Sequence, residues 1–599
     1  VAKKKETTTT MDPQIDYVVR EFSRYESFHK DKFDKMRDIY DLWKNKPPGK
    51  EFDWLNDVHV PLMLEGEQVI TPRLFTALFP TDAPLEVLVE GDAPESQGAQ
   101  IKSMLQHFFR VTNVQGEAHP MLVQDVLFGT GYCEGGTWFV KKGWQHNHIT
   151  QQKEYGQIEG RPDCNHIDFF EMFPHPAKRK VGDGLPLIRK RNIDAEFLKG
   201  LVDDERFETK MLKEALQTES LHTSESGYNA KKGEDYELLE YWGPWDETYK
   251  TDTGDVKVNK AVPHWIMVIN RKIKIRGIAN PYNHQMEPYC KIKLFEDPVP
   301  SWFGVGIGQA GKPTQDRCNK IVNQRLDNVD LVLNKQGFYN GNDTMVNTKK
   351  LQVSKPGQWH KVSDVNQSIK WMDTPDVTGS SYKEEELAKQ DFREATGATA
   401  HLMPEVGTEH RTAMGIQMLQ GAAGMRFRPI LRKIEIDFIQ QLAMFYFSNL
   451  KQFMTEPEWV MITGDYGEKQ AVEITPQQIQ AKVQFIPTGV SETMNKETQV
   501  TQLLRYKEVT ANDPTINRHE INRRIAEIMG FKDIEKFLTP MNPGGGGGLD
   551  DDTKQLIQRR MAEGAPPDQI AREFAGKPPG GGAGNPGQQA AVPNQGAPR

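Results

Sequence analysis

Apolar positions first recur at Ile15, Val18, Phe22, Tyr25, Phe33, Met36, Tyr40 and Trp43, steps that place them on one helical face. Asp12-Pro13 supplies the start, an N-cap acid before a first-turn proline, and Lys46-Pro47-Pro48-Gly49 stops the pattern. A second helix is predicted over residues 60–79, bent at Pro72. Leu85 to Val89 alternates like a short strand, and residues 99–111 carry Ile101, Met104, Leu105, Phe108 and Phe109 on one helical side. Residues 119–299 read mostly as β, with aromatic and β-branched runs at 132–140, 236–242 and 265–275. A charged helix at about 194–217 interrupts them.

The pattern changes at Gly304-Val305-Gly306-Ile307-Gly308. A helix follows with Cys318, Val322, Leu326, Val329 and Leu333 at steps of three or four. Residues 336–373 return to short strand and turn signals, a second helix spans 381–396, and a loop rich in Gly, Thr and His covers 397–411. The longest helical pattern runs over 412–454, from Ile416 to Phe445 along one stripe, with a kink expected at Pro429. Residues 458–485 read as β and 492–538 as helical. After Pro543 a five-glycine run opens a Gly/Pro/Gln/Ala-rich tail, 544–599, that is expected to be disordered apart from a short helix at 553–561.

Composition adds bounds. A chain of 599 residues exceeds one compact core, so two or more units are expected. Only 37% of residues are hydrophobic and the mean hydropathy is -0.65, which points to tail, linker or a wet surface such as a solvated channel. Lys plus Arg total 75 against 83 Asp plus Glu, a net charge of -8, which is not the balance of a protein that grips DNA phosphates. Cys133, Cys164, Cys290 and Cys318 lie far apart in sequence with no CxxC, so neither a zinc site nor a disulfide framework is expected, and a reducing cytosol fits. No apolar run approaches the roughly 18 residues of a membrane span, and the first ten residues lack the apolar core of a secretory signal.

The sharpest enzymatic motif is Gly306-Ile307-Gly308-Gln309-Ala310-Gly311-Lys312, which has phosphate-loop spacing. That chemistry needs a hydroxyl for magnesium after the lysine, and Pro313 stands there instead. A flexible glycine turn leading into a helix is the favoured reading. The histidines, including His146 and His148, show no metal-ligand spacing, and no nucleophile-base arrangement stands out, so no catalytic, cofactor or metal residues are assigned. The basic clusters Lys3 to Lys5, Lys178-Arg179-Lys180 and Arg189-Lys190-Arg191 could touch nucleic acid or a partner, but isolated three-residue clusters in a net-acidic chain are read as surface.

The order of these elements resembles portal proteins of tailed double-stranded-DNA phages, most closely the short-tailed (podovirus) group. Trp302-Phe303-Gly304-Val305-Gly306-Ile307-Gly308-Gln309, followed by Gln315, Asn319, Asn323, Asp327, Asn328 and Asp330, is similar to that family's first stem helix. Ala395-Thr396-Gly397-Ala398 to Arg411-Thr412-Ala413-Met414-Gly415-Ile416 is similar to its loop and long-helix start. Leu127-Phe128-Gly129-Thr130-Gly131 and Asp168-Phe169-Phe170-Glu171-Met172-Phe173-Pro174-His175-Pro176 resemble wing segments. The resemblance implies an α+β portal fold: a mixed α/β wing with N-terminal helices (1–300), stem helices (301–335 and 374–396), a small α/β clip (336–373), a tunnel loop (397–411), a long kinked helix with wing strands (412–490), a helical crown (491–543) and the disordered Gly/Pro-rich tail.

It further implies a non-enzymatic homo-oligomer ring, a dodecamer, at one capsid vertex of a virion assembled in the host cytoplasm. Implied partners are double-stranded DNA in transit, the terminase large subunit, the head-to-tail adaptor, the major capsid protein and the scaffolding protein, with no membrane and no cofactor. Stem residues would be Gln315, Asn319, Asn323, Asp327 and Asp330, and channel-loop residues His401, Glu405, Glu409, His410 and Arg411. Another virion structural or adaptor protein, or a packaging ATPase, are the alternative classes.

Overall fold

In the computed structural model the described residues are 12–47, 49–81, 84–90, 95–146, 153–202, 207–217, 236–250, 256–334, 336–351, 359–372, 375, 378–398, 427–455, 457–463, 469–488, 496–510 and 518–528. The chain divides into two compact units, Val1–Gln499 and Val500–Arg599.

The first unit begins with α1 (Pro13–Trp43), whose N-cap Asp12 accepts from the Gln14 N–H at 2.9 Å. Its buried stripe is Ile15, Val18, Phe22, Tyr25, His29, Phe33, Met36, Ile39 and Leu42. The sequence stripe ended on Tyr40 and Trp43; the structure buries Ile39 and Leu42, two successive steps of three from Met36, and leaves Tyr40 exposed. Then come α2 (Leu62–Leu78), β1 (Leu85–Glu90), α3 (Glu95–Val111) and α4 (Val114–Phe128). The last of these corrects the reading of 119–299 as mostly β. Its second half, Met121 to Phe128, is buried or half-buried on every side, so it lacks the one-sided stripe that marks a surface helix.

The β-rich part supplies β2 (Gly131–Glu134), β3 (Trp138–His146), β4 (Lys153–Pro162), β5 (Asn165–Ile167), β6 (Met172–Pro174) and β7 (Leu187–Ile193). The charged segment is two helices, α5 (Ala195–Val202) and α6 (Thr209–Gln217), and not one. β8 (Tyr236–Lys250), β9 (Val256–Ile269), β10 (Ile273–Ala279) and β11 (Tyr289–Ile292) follow. An antiparallel five-stranded sheet has the order β10-β9-β8-β7-β6, a three-stranded sheet the order β11-β2-β5, and β3 and β4 form a ribbon of their own.

Alternation along β8 and β9 explains how the five-stranded sheet is covered on both faces. Leu239, Tyr241, Ile266 and Val268 join the main core with α1. Leu238, Met267 and Ile269 point the other way and pack with Leu198 of α5 and with Leu212 and Ala215 of α6. Edge-to-face ring pairs, Phe22–Phe173 at 5.0 Å and Tyr17–Tyr241 at 5.7 Å, fix α1 against the sheet.

Helix α7 (Ile307–Leu333) and helix α9 (Ser381–Thr396) flank a small lobe. The lobe holds β12 (Gly337–Tyr339), the single-turn α8 (Thr348–Leu351) and β13 (Ile369–Trp371), with β12 and β13 paired antiparallel. The bounds of α9 match the sequence reading. Of the expected long helix 412–454, residues 412–426 lie outside the described residues. The remainder is helical over Arg428–Ile434 and Gln441–Phe453, with a π-helical stretch at Glu435–Gln440 between them. Pro429 sits in the first turn of the described helix, where it breaks no ladder bond.

β14 (Glu458–Thr463) pairs with β15 (Lys469–Ile474), and β16 (Lys482–Pro487) returns to pair with β1, from Leu85↔Pro487 to Glu90↔Lys482. The second unit's described residues belong to the end of helix Lys496–Val509 and to helix Arg518–Ile528. The tail 544–599, including the helix expected at 553–561, lies outside the described residues.

Candidate functional site

Three sequence segments that are far apart in the chain meet at the start of α7. Gly304 donates its N–H to the Thr130 hydroxyl at 2.9 Å, and Trp302 donates its indole N–H to the Tyr132 hydroxyl at 2.7 Å. Phe303 packs 5.5 Å from Phe169, which lies 5.1 Å from Phe128. The runs 127–131, 168–176 and 302–309 therefore build one junction.

Its glycines are there for close backbone approach. A Cβ on Gly306 would lie 2.4 Å from the Gly129 nitrogen and the Leu127 oxygen, and one on Gly129 would lie 2.3 Å from the Val305 carbonyl carbon. Further along α7, a Cβ on Gly308 would meet Ile39 at 2.4 Å, and one on Gly311 would meet Phe392 of α9 at 2.4 Å. These contacts correct the flexible-turn reading of 306–311: the segment from Ile307 is already helix. They also fill the space in which a phosphate would have to sit. Lys312 pairs with Asp38 at 3.8 Å and Asp316 at 3.4 Å on the surface.

The five predicted stem residues, Gln315, Asn319, Asn323, Asp327 and Asp330, all lie on one face of α7 and act as a ladder. They hold the extended segment between α1 and α2. Asp327 accepts from the Asn56 N–H at 2.7 Å, and Asp330 accepts from the Asn56 side-chain amide at 2.7 Å. Asn323 accepts from the Val58 N–H at 2.7 Å and donates to the Val58 carbonyl at 3.0 Å. Asn319 accepts from the Val60 N–H at 2.9 Å, and Gln315 donates to the Val60 carbonyl. Gln315 also accepts from the Met63 N–H at 3.0 Å, which caps the first turn of α2.

The match has a simple geometric cause. Four helical residues rise about 6.0 Å and two extended residues about 6.6 Å, so amides spaced four apart meet every second peptide of a strand. The helix face does for this segment what a neighbouring strand would do in a sheet. Nothing in the Asn/Asp spacing alone says what faces it; the partner is some 260 residues upstream.

Asn319→Leu keeps the volume and removes the rung under Val60. With that N–H unpaired, the loss expected is about 1–3 kcal/mol. A shift of the urea midpoint at unchanged slope is the readout; an unshifted midpoint would show that water replaces the rung.

Helix α9 lies antiparallel on the far side of α7 from the ladder. Arg317 pairs with Glu384 at 2.8 Å and with Asp391 at 2.9 Å, and Arg325 pairs with Glu385 at 2.7 Å while its guanidinium lies 4.3 Å from the Tyr382 ring centre. Phe392 wedges between Gly311 of α7 and Gly66 of α2. Its neighbour Arg393 reaches Glu65 of α2 at 2.9 Å. The lobe between the two helices carries exposed apolar side chains: Phe338, Tyr339, Val365, Trp371 and Trp359, the last 94% exposed. Asp343 organises its turn, accepting from the Ser363 N–H at 2.9 Å and from the hydroxyls of Ser363 and Ser368, and these bonds hold its carboxyl well below the usual range.

A buried basic pair supports the junction from beneath. Lys178 donates to Glu287 at 2.6 Å, Asp183 at 2.7 Å and the Leu185 carbonyl at 2.7 Å. Lys291 donates to the Arg179 and Trp302 carbonyls at 2.6 and 3.2 Å, with its ammonium 3.8 Å from the Trp302 ring centre. Burial pushes Lys291 well below the ordinary lysine range. Lys178 and Arg189, read as surface from the sequence, are both buried, the latter between Glu134 and Glu171. Arg189 and its paired acids show why a run of charge is a poor guide to exposure.

The channel-loop residues His401, Glu405, Glu409, His410 and Arg411 lie outside the described residues. Among the described residues no cluster of His, Cys, Asp or Glu is arranged to hold a metal ion, and no helix is long and apolar enough to cross a membrane.

Comparison with known proteins gives one family. The model described as "Phage SU10 portal protein" matches residues 160–574. No curated protein sequence matches the chain. Among solved structures, a chain from the "Neck of empty GTA particle computed with C6 symmetry" is similar at 12% identity and a TM-score of 0.35, covering 84% of this chain and 94% of that one.

Proposed function

Because this chain belongs to the SU10 type of phage portal protein, a structural component of the virion and not an enzyme, we propose that it forms a closed ring at one capsid vertex. The ring, a dodecamer, is the channel for genome packaging and ejection. Its subunits are built in the host cytoplasm beside the major capsid and scaffolding proteins. The observation that carries this reading is the antiparallel pair α7 and α9 with a small lobe of exposed aromatic residues at its end. In this reading residues 301–335 and 374–396 are the stem, and 336–373 the clip. Phe338, Trp359 and Trp371 then form a docking platform for the terminase large subunit and, later, the head-to-tail adaptor. Large apolar side chains left in water at one end of a subunit fit a surface that is covered on assembly.

A closed ring uses two different flanks of each subunit, since head-to-tail interfaces close by rotation. Negative-stain images of the purified chain are expected to show rings with a central hole, and native mass spectrometry a single high oligomer. Monomer alone across concentrations would remove the proposal.

The loop 397–411 is assigned to the channel's constriction, where a ring would stack Glu405 and Glu409 at one level and repel the duplex backbone. Changing both to lysine is expected to leave rings intact and impair packaging or retention of DNA. Unchanged packaging and ejection would take the constriction away from this loop.

A further inference from the structure

The four cysteines are far apart in sequence, yet three of them gather in the three-stranded sheet. Cys133 on β2 is directly opposite Cys290 on β11. Cys164, just before β5, brings its Sγ to 3.0 Å from that of Cys133. All are reduced and buried, and Cys318 belongs to α7. The separation is about 1 Å longer than a covalent S–S bond of about 2.05 Å, so side-chain rotation can close it with little backbone movement.

The position of the pair gives the bond a role. Residues 133 and 164 flank the β3–β4 ribbon, whose base is the pair Trp138↔Pro162. That ribbon pairs with no third strand among the described residues. It carries exposed Trp144 and Tyr155, with ring centres 5.4 Å apart. A two-stranded ribbon is marginal by itself, and its order depends on how its base is held.

We propose that Cys133 and Cys164 form an intrachain disulfide when the protein meets a peroxide, and that this bond staples the base of the β3–β4 ribbon. Two thiols and one peroxide give one disulfide and two waters. One thiol is first oxidised to a sulfenic acid, releasing water; the second sulfur then attacks it, the S–S bond forms, and the second water leaves. Burial raises the Cys133 thiol, and the hydrogen bond with Cys133 together with burial raises that of Cys164, so both react only during local opening, which admits a small peroxide. The proposal rests on the virion reading only for where the oxidant is met, outside a reducing cytosol; the chemistry is independent of ring formation.

The test treats the full chain with hydrogen peroxide, removes it, then alkylates in denaturant and maps unreduced peptides by mass spectrometry. The expected product lacks two of the four alkylatable thiols and contains a peptide joining Cys133 to Cys164. Cys133→Ser and Cys164→Ser are each expected to block it. Chymotryptic cleavage after Trp144 and Tyr155 should slow several-fold in the oxidised wild type and recover on reduction. Four free thiols after treatment, a bridge to Cys290, a cross-link between chains, or a co-purifying metal held by these thiols would each overturn the proposal. Cleavage that ignores the bridge would overturn the staple.

Discussion

Lys178→Met is expected to cost about 3–5 kcal/mol, the usual penalty for removing one partner from a buried ion group. The lysine side chain is fully buried, and its ammonium is shared by Glu287, Asp183 and the Leu185 carbonyl. Methionine fills the same space but leaves two carboxylates facing each other without a cation. Each carboxylate has a second duty: Glu287 accepts from the Gly182 N–H at 2.7 Å, and Asp183 from the Arg179 N–H at 2.9 Å. The loop 175–187 should therefore loosen as a unit. Burial alone would raise the Asp183 carboxyl, but Lys178 and the loop's N–H groups outweigh it and hold the group below its ordinary range. A depressed carboxyl contributes stability that is present above its unfolded pKa and lost as pH falls through the folded value. The wild type should thus lose this contribution in acid below the ordinary aspartate range. Equilibrium denaturation at neutral pH measures the main effect, and adding Glu287→Gln should restore part of it. A loss under about 1 kcal/mol would mean that water reaches the pair.

Gly129→Ala should damage the junction at α7 by roughly 3 kcal/mol or more, the sum of a left-handed backbone and a backbone clash. Gly129 has φ 81°, and its added Cβ would lie 2.3 Å from the Val305 carbonyl carbon. Neither obstacle is a flexible side chain, so relief requires α4 and α7 to part. Thr130 would lose its bond from Gly304, and Trp302 its setting against Tyr132. Gly200→Ala is the matched control: it lies in α5 with nothing within 4 Å of its added Cβ. That change should stabilise by about 0.5–1 kcal/mol through helix propensity. Thermal melting of both variants gives the comparison. Equal melting temperatures for Gly129→Ala and the wild type would show that the two backbones are less tightly apposed than their geometry implies.

Both predictions concern places where sequence and structure part company. Local order was legible wherever one face of an element meets water. The stripe of α1, the bounds of α9 and the alternation of β1 follow from periodicity, because one-sided burial leaves a period in the sequence. Helix α4 was not legible as a helix, since burial on all sides of its second half erases that period. The break between α5 and α6 was missed because Ala, Leu, Lys and Glu dominate residues 194–217, although Gly200, Asp203 and Asp204 are weak helix formers.

The sequence by itself determined that a helix follows Gly308 and which of its residues share a face. The resemblance to portal proteins singled out Gln315, Asn319, Asn323, Asp327 and Asp330, and Gly306, Gly308 and Gly311 stand out by repetition. Pro313 by itself removed the phosphate-loop reading. Tertiary structure alone decided what these residues do: the amides and carboxylates replace a missing strand for residues 56–60, and the glycines admit Leu127, Ile39 and Phe392. It alone turned Lys178 and Arg189 inward and gathered Cys133, Cys164 and Cys290. The physical reason is common to all three cases. Spacing along a chain specifies which side chains share a face, whereas hydrogen-bond partners, close approach and burial depend on what another part of the chain brings to that face.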